Sequence, residues 1–461
     1  MSQVDRSPLR KAQRVELAGW GNTAPSSSDL VSMIDRGALL EEVLHAPRGV
    51  LGRGLGRSYG DGAQNSGGTI ADGTTNVGIE GFDAATGVVT AKSGTSLDQL
   101  MTWFVPMGWF VPVTPGTRQV TIGGAIAADI HGKNHHRSGS FCNHVLSFEL
   151  LCGDGEIKTV TPQAMPELFW ATAGGMGLTG LVLSAQIQMK PIETSRLLVD
   201  TDRASNLEHV MDLMVTGDDN YDYSVAWIDL MATGAHMGRA VLDRGRFARL
   251  DELPASAARD PLKFTSSTIA TVPPGIPSGL LVPPAIKAFN ELWFRKAPAQ
   301  RRENCQTITQ FFHPLDLLSD WNRMYGPRGF LQWQFVVPDE ATETLRHTVE
   351  QLSSAGVASF LAVLKRFGPG SLGHLSFPQK GWTITLDIPI GNPELGGLLD
   401  RLDEEIVGVG GRIYLAKDSR THPKHVPVMY PRLDEWREIR DRYDPQRRFQ
   451  SDLSRRLHLI E

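Results

Sequence analysis

The run Gly52 to Asp61, GRGLGRSYGD, constrains this chain more than any other feature. It follows a short apolar segment, Gly49-Val50-Leu51. Glycines at 52, 54, 56 and 60 let the backbone take positive φ and approach a ligand closely. Successive N–H groups in such a loop form an anion-binding concavity. Arg53 and Arg57 add fixed charge suited to phosphate. The alternative is a glycine-rich surface turn. The run is not a dinucleotide turn of the Rossmann kind, which needs strand, tight turn and helix in that order. Its glycines are spaced G-x-G-x-x-x-G, and Asp61 to Gly68 continues as loop. Gly175 to Gly180 fits the spacing better but in reversed context. A helix-like Glu167–Thr172 precedes it, and the strand-like Leu181–Met189 follows.

A length of 461 residues suits two domains. A net charge of −5 argues against a general nucleic-acid binder. Cys142, Cys152 and Cys305 are too scattered for a disulfide framework or a metal site, and each reads as a packed thiol. The polar N-terminus, MSQVDRSPLRKAQRVELAGWG, has no apolar signal-peptide core. No stretch reads as a membrane helix. The uncharged segment 264–286 comes closest, but prolines at 273, 274, 277, 283 and 284 make a regular helix implausible there. It reads as an apolar loop, either packed on the surface or serving as a lid or contact for a greasy substrate or bilayer.

Residues 27–46 show caps and helical spacing, as does Ser96 to Met101. A second glycine cluster, PGTRQVTIGGAIAADIHG, runs from Pro115 to Gly132. Gly153-Asp154-Gly155 is a hairpin turn between Ser147–Leu151 and Ile157–Val160. A third cluster runs from Gly174 to Gly180. Beyond Pro191 longer strand-like stretches appear: Tyr221–Trp227, Phe330–Val337 and Thr383–Ile388. Alternation puts Gln332 and Gln334 on one face. The last 50 residues are arginine-rich, and most of these arginines are expected on solvated faces.

Three glycine clusters within 180 residues suit one long, doubly charged ligand, and FAD is about that size. GRGLGRSYGD, TIGGAIAADIHGKNHH and ATAGGMGLTG resemble the FAD-binding domain of vanillyl-alcohol-oxidase-type flavoproteins. Tyr443-Asp444-Pro445 and Phe449–Leu453 match that family's C-terminal return to the domain. HGKNHH (131–136), Gly139–Val145, ELFWAT (167–172), ITQFFHPLD (308–316) and AKDSR (416–420) are similar to the decaprenylphosphoryl-β-D-ribose oxidase branch. This resemblance covers the chain from about Leu17 onward. It implies an α+β, two-domain PCMH-type FAD fold. An FAD domain would span 1–193, a substrate domain on an antiparallel sheet 194–409, and the C-terminal return 410–461.

The implied reaction is FAD-dependent oxidation of a lipid-linked ribose 2′-hydroxyl, the first half of an epimerisation toward the arabinose donor of cell-wall arabinan. A partner NAD-dependent keto-reductase and peripheral attachment at the periplasmic face of the cell envelope are implied with it, with a cytoplasmic location as the alternative. A soluble sugar-alcohol or aldonolactone oxidase is the alternative, and a flavin-binding scaffold a third.

The resemblance assigns FAD contacts in the first run to Arg53, Gly54, Leu55, Gly56, Arg57, Ser58, Tyr59 and Gly60, with Asn65 beyond it. In the second run it assigns Gly116, Thr117, Val120, Thr121, Gly123, Gly124, Ala127, Ala128, His131 and Gly132. Gly177, Gly180 and Tyr414 complete the set. Lys417 is the first candidate for the proton-accepting base, since a desolvated lysine has a lowered pKa. His131 and Tyr59 are the other catalytic candidates. Lys133, Gln332, Gln334, Lys365, Phe367, Thr383, Thr385 and Lys417 are substrate-pocket candidates, with Phe312 and Trp227 as apolar walls. His135 and His136 extend the cluster without acidic or cysteine partners at metal spacing, so no metal is expected.

Two departures stand out. Thr385 occupies a position where mycobacterial relatives carry cysteine, so a thiol-directed ligand cannot form its adduct here. Arg57 aligns with the histidine that many superfamily members bond to FAD, and no histidine lies in 52–61. Non-covalent FAD is expected.

Overall fold

A computed structural model describes residues 13–460. The signal-peptide reading of the first dozen residues lies outside them. Three sheets organise the chain. The first has four strands in the order Gln13–Leu17, Ser26–Ser32, Thr69–Asp72, Val50–Arg53. Its last three strands are parallel, and the glycine-rich run leaves its Val50–Arg53 edge. The second is antiparallel, in the order Ile79–Asp83, Val88–Lys92, Leu181–Gln188, Val145–Leu151, Ile157–Val160. The expected hairpin is there, with Gly155 at φ +85° and Leu151 paired with Ile157.

The second and third glycine clusters are tied together. Thr121 caps the short helix Ile122–Ala127. The N–H groups of Gly174 and Met176 donate to the carbonyls of Ile126 and Ala127 at 3.0 and 2.8 Å. Ser96 caps the helix Leu97–Phe104 through a capping box with Gln99, as its sequence predicts.

The third sheet has eight antiparallel strands, in the order Gln300–Thr307, Arg196–Ala204, Ala240–Phe247, Tyr223–Ile228, Ala362–Phe367, Gly381–Pro389, Phe330–Val337, Arg412–Ile413. Its pleat sorts the residues. Trp333, Phe335, Leu364, Ile384 and Leu386 are buried in one core with Leu345 and Val349 of the helix Thr342–Ser354 and Leu399 and Leu402 of the helix Leu395–Gly408. Gln332, Gln334, Thr383, Thr385 and Asp387 alternate with them and occupy the opposite face.

Three expectations are corrected. Residues 27–46 are not one helix: Ser26–Ser32 is a strand, and the helix spans Arg36–His45. Ser28 is no helix cap and Leu30 lies in the strand, so Leu30 and Met33 are helically spaced only by coincidence, while Asp35 caps the true start through Ala38. The proline-rich segment does not remain irregular to residue 286. Pro283 and Pro284 open a regular helix, Pro283–Lys296, where a missing N–H is tolerated.

The C-terminal arginines are mostly structural and not solvated. Arg440 is buried against Asp444 at 3.0 Å. Arg456 grips the Asp61 carboxylate with two bonds of 2.8 Å, and Arg455 donates to Asn65. Residues 448–456 thus return to the first sheet. The N–H of Val50 donates to Arg448, and that of Gln450 donates to Val50.

Candidate active site

The segment Tyr414–Asp418 lies between the large sheet and the first glycine run. The Tyr414 N–H donates to the Gln334 carbonyl, and the Tyr59 N–H donates to the Ala416 carbonyl, each at 3.0 Å. Asp418 anchors the segment. Burial disfavours its carboxylate, but Arg456 and the N–H groups of Arg420 and Thr421 outweigh this and hold its pKa below the ordinary value. Lys417 is thereby set 5.6 Å over the Tyr59 ring.

Lys133, Lys365, Lys417 and Tyr59 lie deep in the protein, yet each keeps partial solvent contact. They are not sealed into a core. Burial, reinforced by Lys365 and opposed by Asp387, lowers Lys417 to about 7. Burial lowers Lys365 to about 8. Burial also pushes the Tyr59 phenol well up, so it keeps its proton and can donate.

His131 is buried and held well below its ordinary pKa by desolvation and by Lys365 and Lys417, so the ring is neutral. The Gln334 amide donates to its Nε2 at 3.0 Å and to Thr383 Oγ1 at 3.0 Å. His131 also packs on Phe367, Phe377 and Tyr414.

Sequence reasoning missed Asp387. It pairs with Gln332 in the sheet, accepts a hydrogen bond from that side chain and lies beside the buried Tyr325. Burial raises its pKa to about 7, against the opposing pull of Gln332 and Lys417. The signal was present: Thr383, Thr385 and Asp387 alternate on a strand whose other residues are apolar.

Several buried polar atoms here have no partner: Gln332 Oε1, Gln334 Oε1, Thr385 Oγ1, Asp387 Oδ2 and His131 Nδ1. Such atoms are costly unless a ligand or water meets them. The glycine run gives a matching observation. Among the described residues, the N–H groups of Leu55, Gly56, Arg57 and Ser58 have no protein acceptor. Gly60 has no room for a side chain, since an added Cβ would lie 2.0 Å from the Asp418 carbonyl. Gly116 faces open space. These donors and this space fit a bound dinucleotide.

Other predicted residues have protein partners that redirect their roles. Arg53 is not a free phosphate ligand, because its guanidinium donates to the Ala63 and Ala18 carbonyls at 2.8 and 2.7 Å. Arg57 stacks over Trp20 at 3.7 Å and donates to Gln119. The Asn65 side chain bonds Gly49 and Arg455, and so braces the loop. Thr117 Oγ1 and the Arg118 N–H both donate to Asp316, which ties ITQFFHPLD to the second glycine cluster.

Phe312 is no pocket wall but is packed among Phe110, Tyr223 and Phe311. Lys133 donates to the Phe311 carbonyl and lies 4.2 Å over that ring. Trp227 is half-buried and donates to Phe360. His135 packs on Phe367, and His136 bonds the Tyr221 carbonyl. Tyr414 bonds Ala128 and stacks on Phe377 at 4.6 Å.

Residues 38–161 match the family described as FAD binding domain. The chain is 46% identical to decaprenylphosphoryl-beta-D-ribose oxidase of Mycolicibacterium smegmatis over 450 residues, 96% of this chain and 97% of the relative. It is 41% identical to an uncharacterized protein of Streptomyces coelicolor over 373 residues, 79% of this chain and all of that one. Cytokinin dehydrogenase 2 of Arabidopsis thaliana is 30% identical over 151 residues, 30% of this chain and 27% of the plant enzyme. A glycine-lined phosphate cradle facing a lysine-bearing antiparallel sheet, in a chain this similar over nearly its whole length, places the protein in the decaprenylphosphoryl-β-D-ribose oxidase family of FAD-binding flavoproteins.

Proposed function

We propose that the protein oxidises the ribose 2′-hydroxyl of decaprenylphosphoryl-β-D-ribose to the 2′-ketone. The observation that carries the reading is the convergence of a low-pKa lysine and unpartnered polar atoms on the sheet face beside the glycine run. FAD, when bound, supplies the hydride acceptor. The unpaired N–H groups of 55–58 would hold its pyrophosphate.

Lys417 takes the hydroxyl proton, because its lowered pKa leaves much of the amine neutral at neutral pH. Tyr59 and Gln332 orient the sugar, and Asp387 beside Lys417 restrains that lysine's pKa from falling further. Lys365 fits the substrate phosphate better than Lys133. It has no hydrogen-bonding partner among the described residues, whereas Lys133 already bonds a carbonyl. The residue roles and the domain boundaries 1–193, 194–409 and 410–461 are part of this proposal.

A ketone product requires a hydride donor to complete the epimerisation, and a separate NAD-dependent keto-reductase fits that need. Among the described residues no helix is long and apolar enough to cross a membrane. We place the protein as a peripheral component at the cell envelope, where its lipid-linked substrate resides.

The test is anaerobic titration of the FAD-loaded protein. A polyprenylphosphoryl-ribose bleaches the flavin absorbance, while free alditols and aldonolactones do not. Bleaching by the free sugars alone would refute the assignment.

Acid precipitation gives a second check. Arg57 stands where a histidyl link would form, with its guanidinium on Trp20. All the flavin is expected in the supernatant, and flavin retained in the pellet would overturn non-covalent binding.

A further inference from the structure

The helix Pro283–Lys296 buries one side through Ile286 and Asn290, the latter bonded to Asp229 at 2.8 Å. The flank beside that buried face is apolar and exposed. Ala285, Ala288, Phe289, Leu292 and Trp293 recur at intervals of three and four residues, so they share one stripe. Leu292 is 67% exposed, and Phe289 and Trp293 are each 44% exposed. The two aromatic rings stack on each other at 6.1 Å.

A soluble protein does not ordinarily present such a stripe to water. The preceding loop adds to it, with Ile269 76% and Leu280 57% exposed, and Val282 also exposed.

Charge identifies what covers this surface. Residues 259–303 hold seven basic side chains (Arg259, Lys263, Lys287, Arg295, Lys296, Arg301, Arg302) and three acids (Asp260, Glu291, Glu303) in a chain of net charge −5, with Arg295 paired to Glu291 and Arg302 to Asp202. An apolar stripe flanked by lysine and arginine is the pattern of a helix that lies in an anionic bilayer surface.

The stripe also lies near the active site. A cleft of about 320 Å³ is lined by Leu281, Val282 and Pro283 on one side and by Ile388, Pro389 and Tyr325 on the other. Tyr325 lies beside Asp387. Val272 of the same loop packs with Trp321, Tyr325 and Phe330, beside Tyr59.

We propose that the helix Pro283–Lys296 and the loop before it dock the protein on anionic phospholipid, so that the cleft at Tyr325 opens at the bilayer surface. This rests on the proposed function only in that a membrane-borne substrate uses the opening. The docking itself is read from the surface.

The test is vesicle flotation of the FAD-loaded full chain, with phosphatidylcholine vesicles containing or lacking phosphatidylglycerol. The wild type is expected to float with the anionic vesicles and much less with the neutral ones. The triple variant Phe289→Glu/Leu292→Glu/Trp293→Glu should partition at least roughly tenfold more weakly. Lys287→Glu/Lys296→Glu should lose the preference for anionic lipid.

Both variants should keep the wild-type flavin spectrum and, with a short-chain, water-soluble prenylphosphoryl-ribose, wild-type turnover. Equal flotation of the triple variant and wild type would overturn the proposal. So would a wild type that does not float, or a triple variant that changes oligomeric state while partitioning normally, since the stripe would then be a protein interface. Flotation without turnover of any prenylphosphoryl-ribose would instead refute the proposed reaction and leave the docking surface standing.

Discussion

Lys417→Met is expected to retain FAD and lose turnover by about 10²- to 10⁴-fold, the usual contribution of a positioned general base. The cofactor should stay because the unpaired N–H groups of 55–58 do not involve Lys417. The proton should stay on the substrate because the two other catalytic candidates, His131 and Tyr59, do not replace the lysine. His131 is engaged by Gln334 and lies well below its ordinary pKa, and Tyr59 lies well above its own.

A pH profile separates this role from a positioning one. The Lys417 pKa is lowered from 10.5 to about 7, so the neutral, proton-accepting amine predominates above that pH. Wild-type flavin reduction should therefore rise with pH through about 7 and level off. The variant's residual rate should lack that rise. The measurements are stopped-flow flavin bleaching across pH and the flavin content of the purified variant. An unchanged profile in the variant would assign the base elsewhere. Thermal melting should not fall, since removing a desolvated ammonium takes no hydrogen bond from the fold.

Gly60→Ala should give a protein without bound flavin. A Cβ at Gly60 would lie 2.0 Å from the Asp418 carbonyl oxygen and 2.8 Å from its carbon. Neither is a flexible side-chain end, so the first glycine run and the Tyr414–Asp418 segment must separate. Asp61, Asp418 and Arg456 meet at that seam, with Arg456 bonding both carboxylates at 2.8 Å. The expected destabilisation is about 3 kcal/mol, roughly 3 °C in melting temperature for a chain of this length. Gly116→Ala is the control. Nothing lies within 4 Å of its added Cβ, so the flavin-free protein should melt as the wild type does. Equal flavin content in Gly60→Ala and wild type would refute this account of the seam.

Local signals in the sequence located much of the architecture. Glycine spacing marked the cofactor runs, Ser96 with Gln99 marked a helix start, and alternation marked the strand carrying Gln332 and Gln334. What was not legible depends on partners distant in the chain. Nothing near Arg53 says that its guanidinium is engaged by Ala18 and Ala63. The buried role of Arg440 is set by a carboxylate four residues away and by the carbonyls of Leu178 and Phe449. Asp387 looked like an ordinary strand acid until its cross-strand neighbour proved to be Gln332. The strand Ser26–Ser32 misled because apolar residues three apart, Leu30 and Met33, are not peculiar to helices.

The Asp61–Arg456 pair also has a bearing on biogenesis. Its two partners are separated by 395 positions, and the loop between them includes the whole eight-stranded sheet. At ordinary elongation rates the ribosome needs roughly 20–80 s to travel from one to the other. During that interval the nascent glycine run has no closing arginine. The seam that closes the glycine run is therefore complete only once synthesis has passed Arg456.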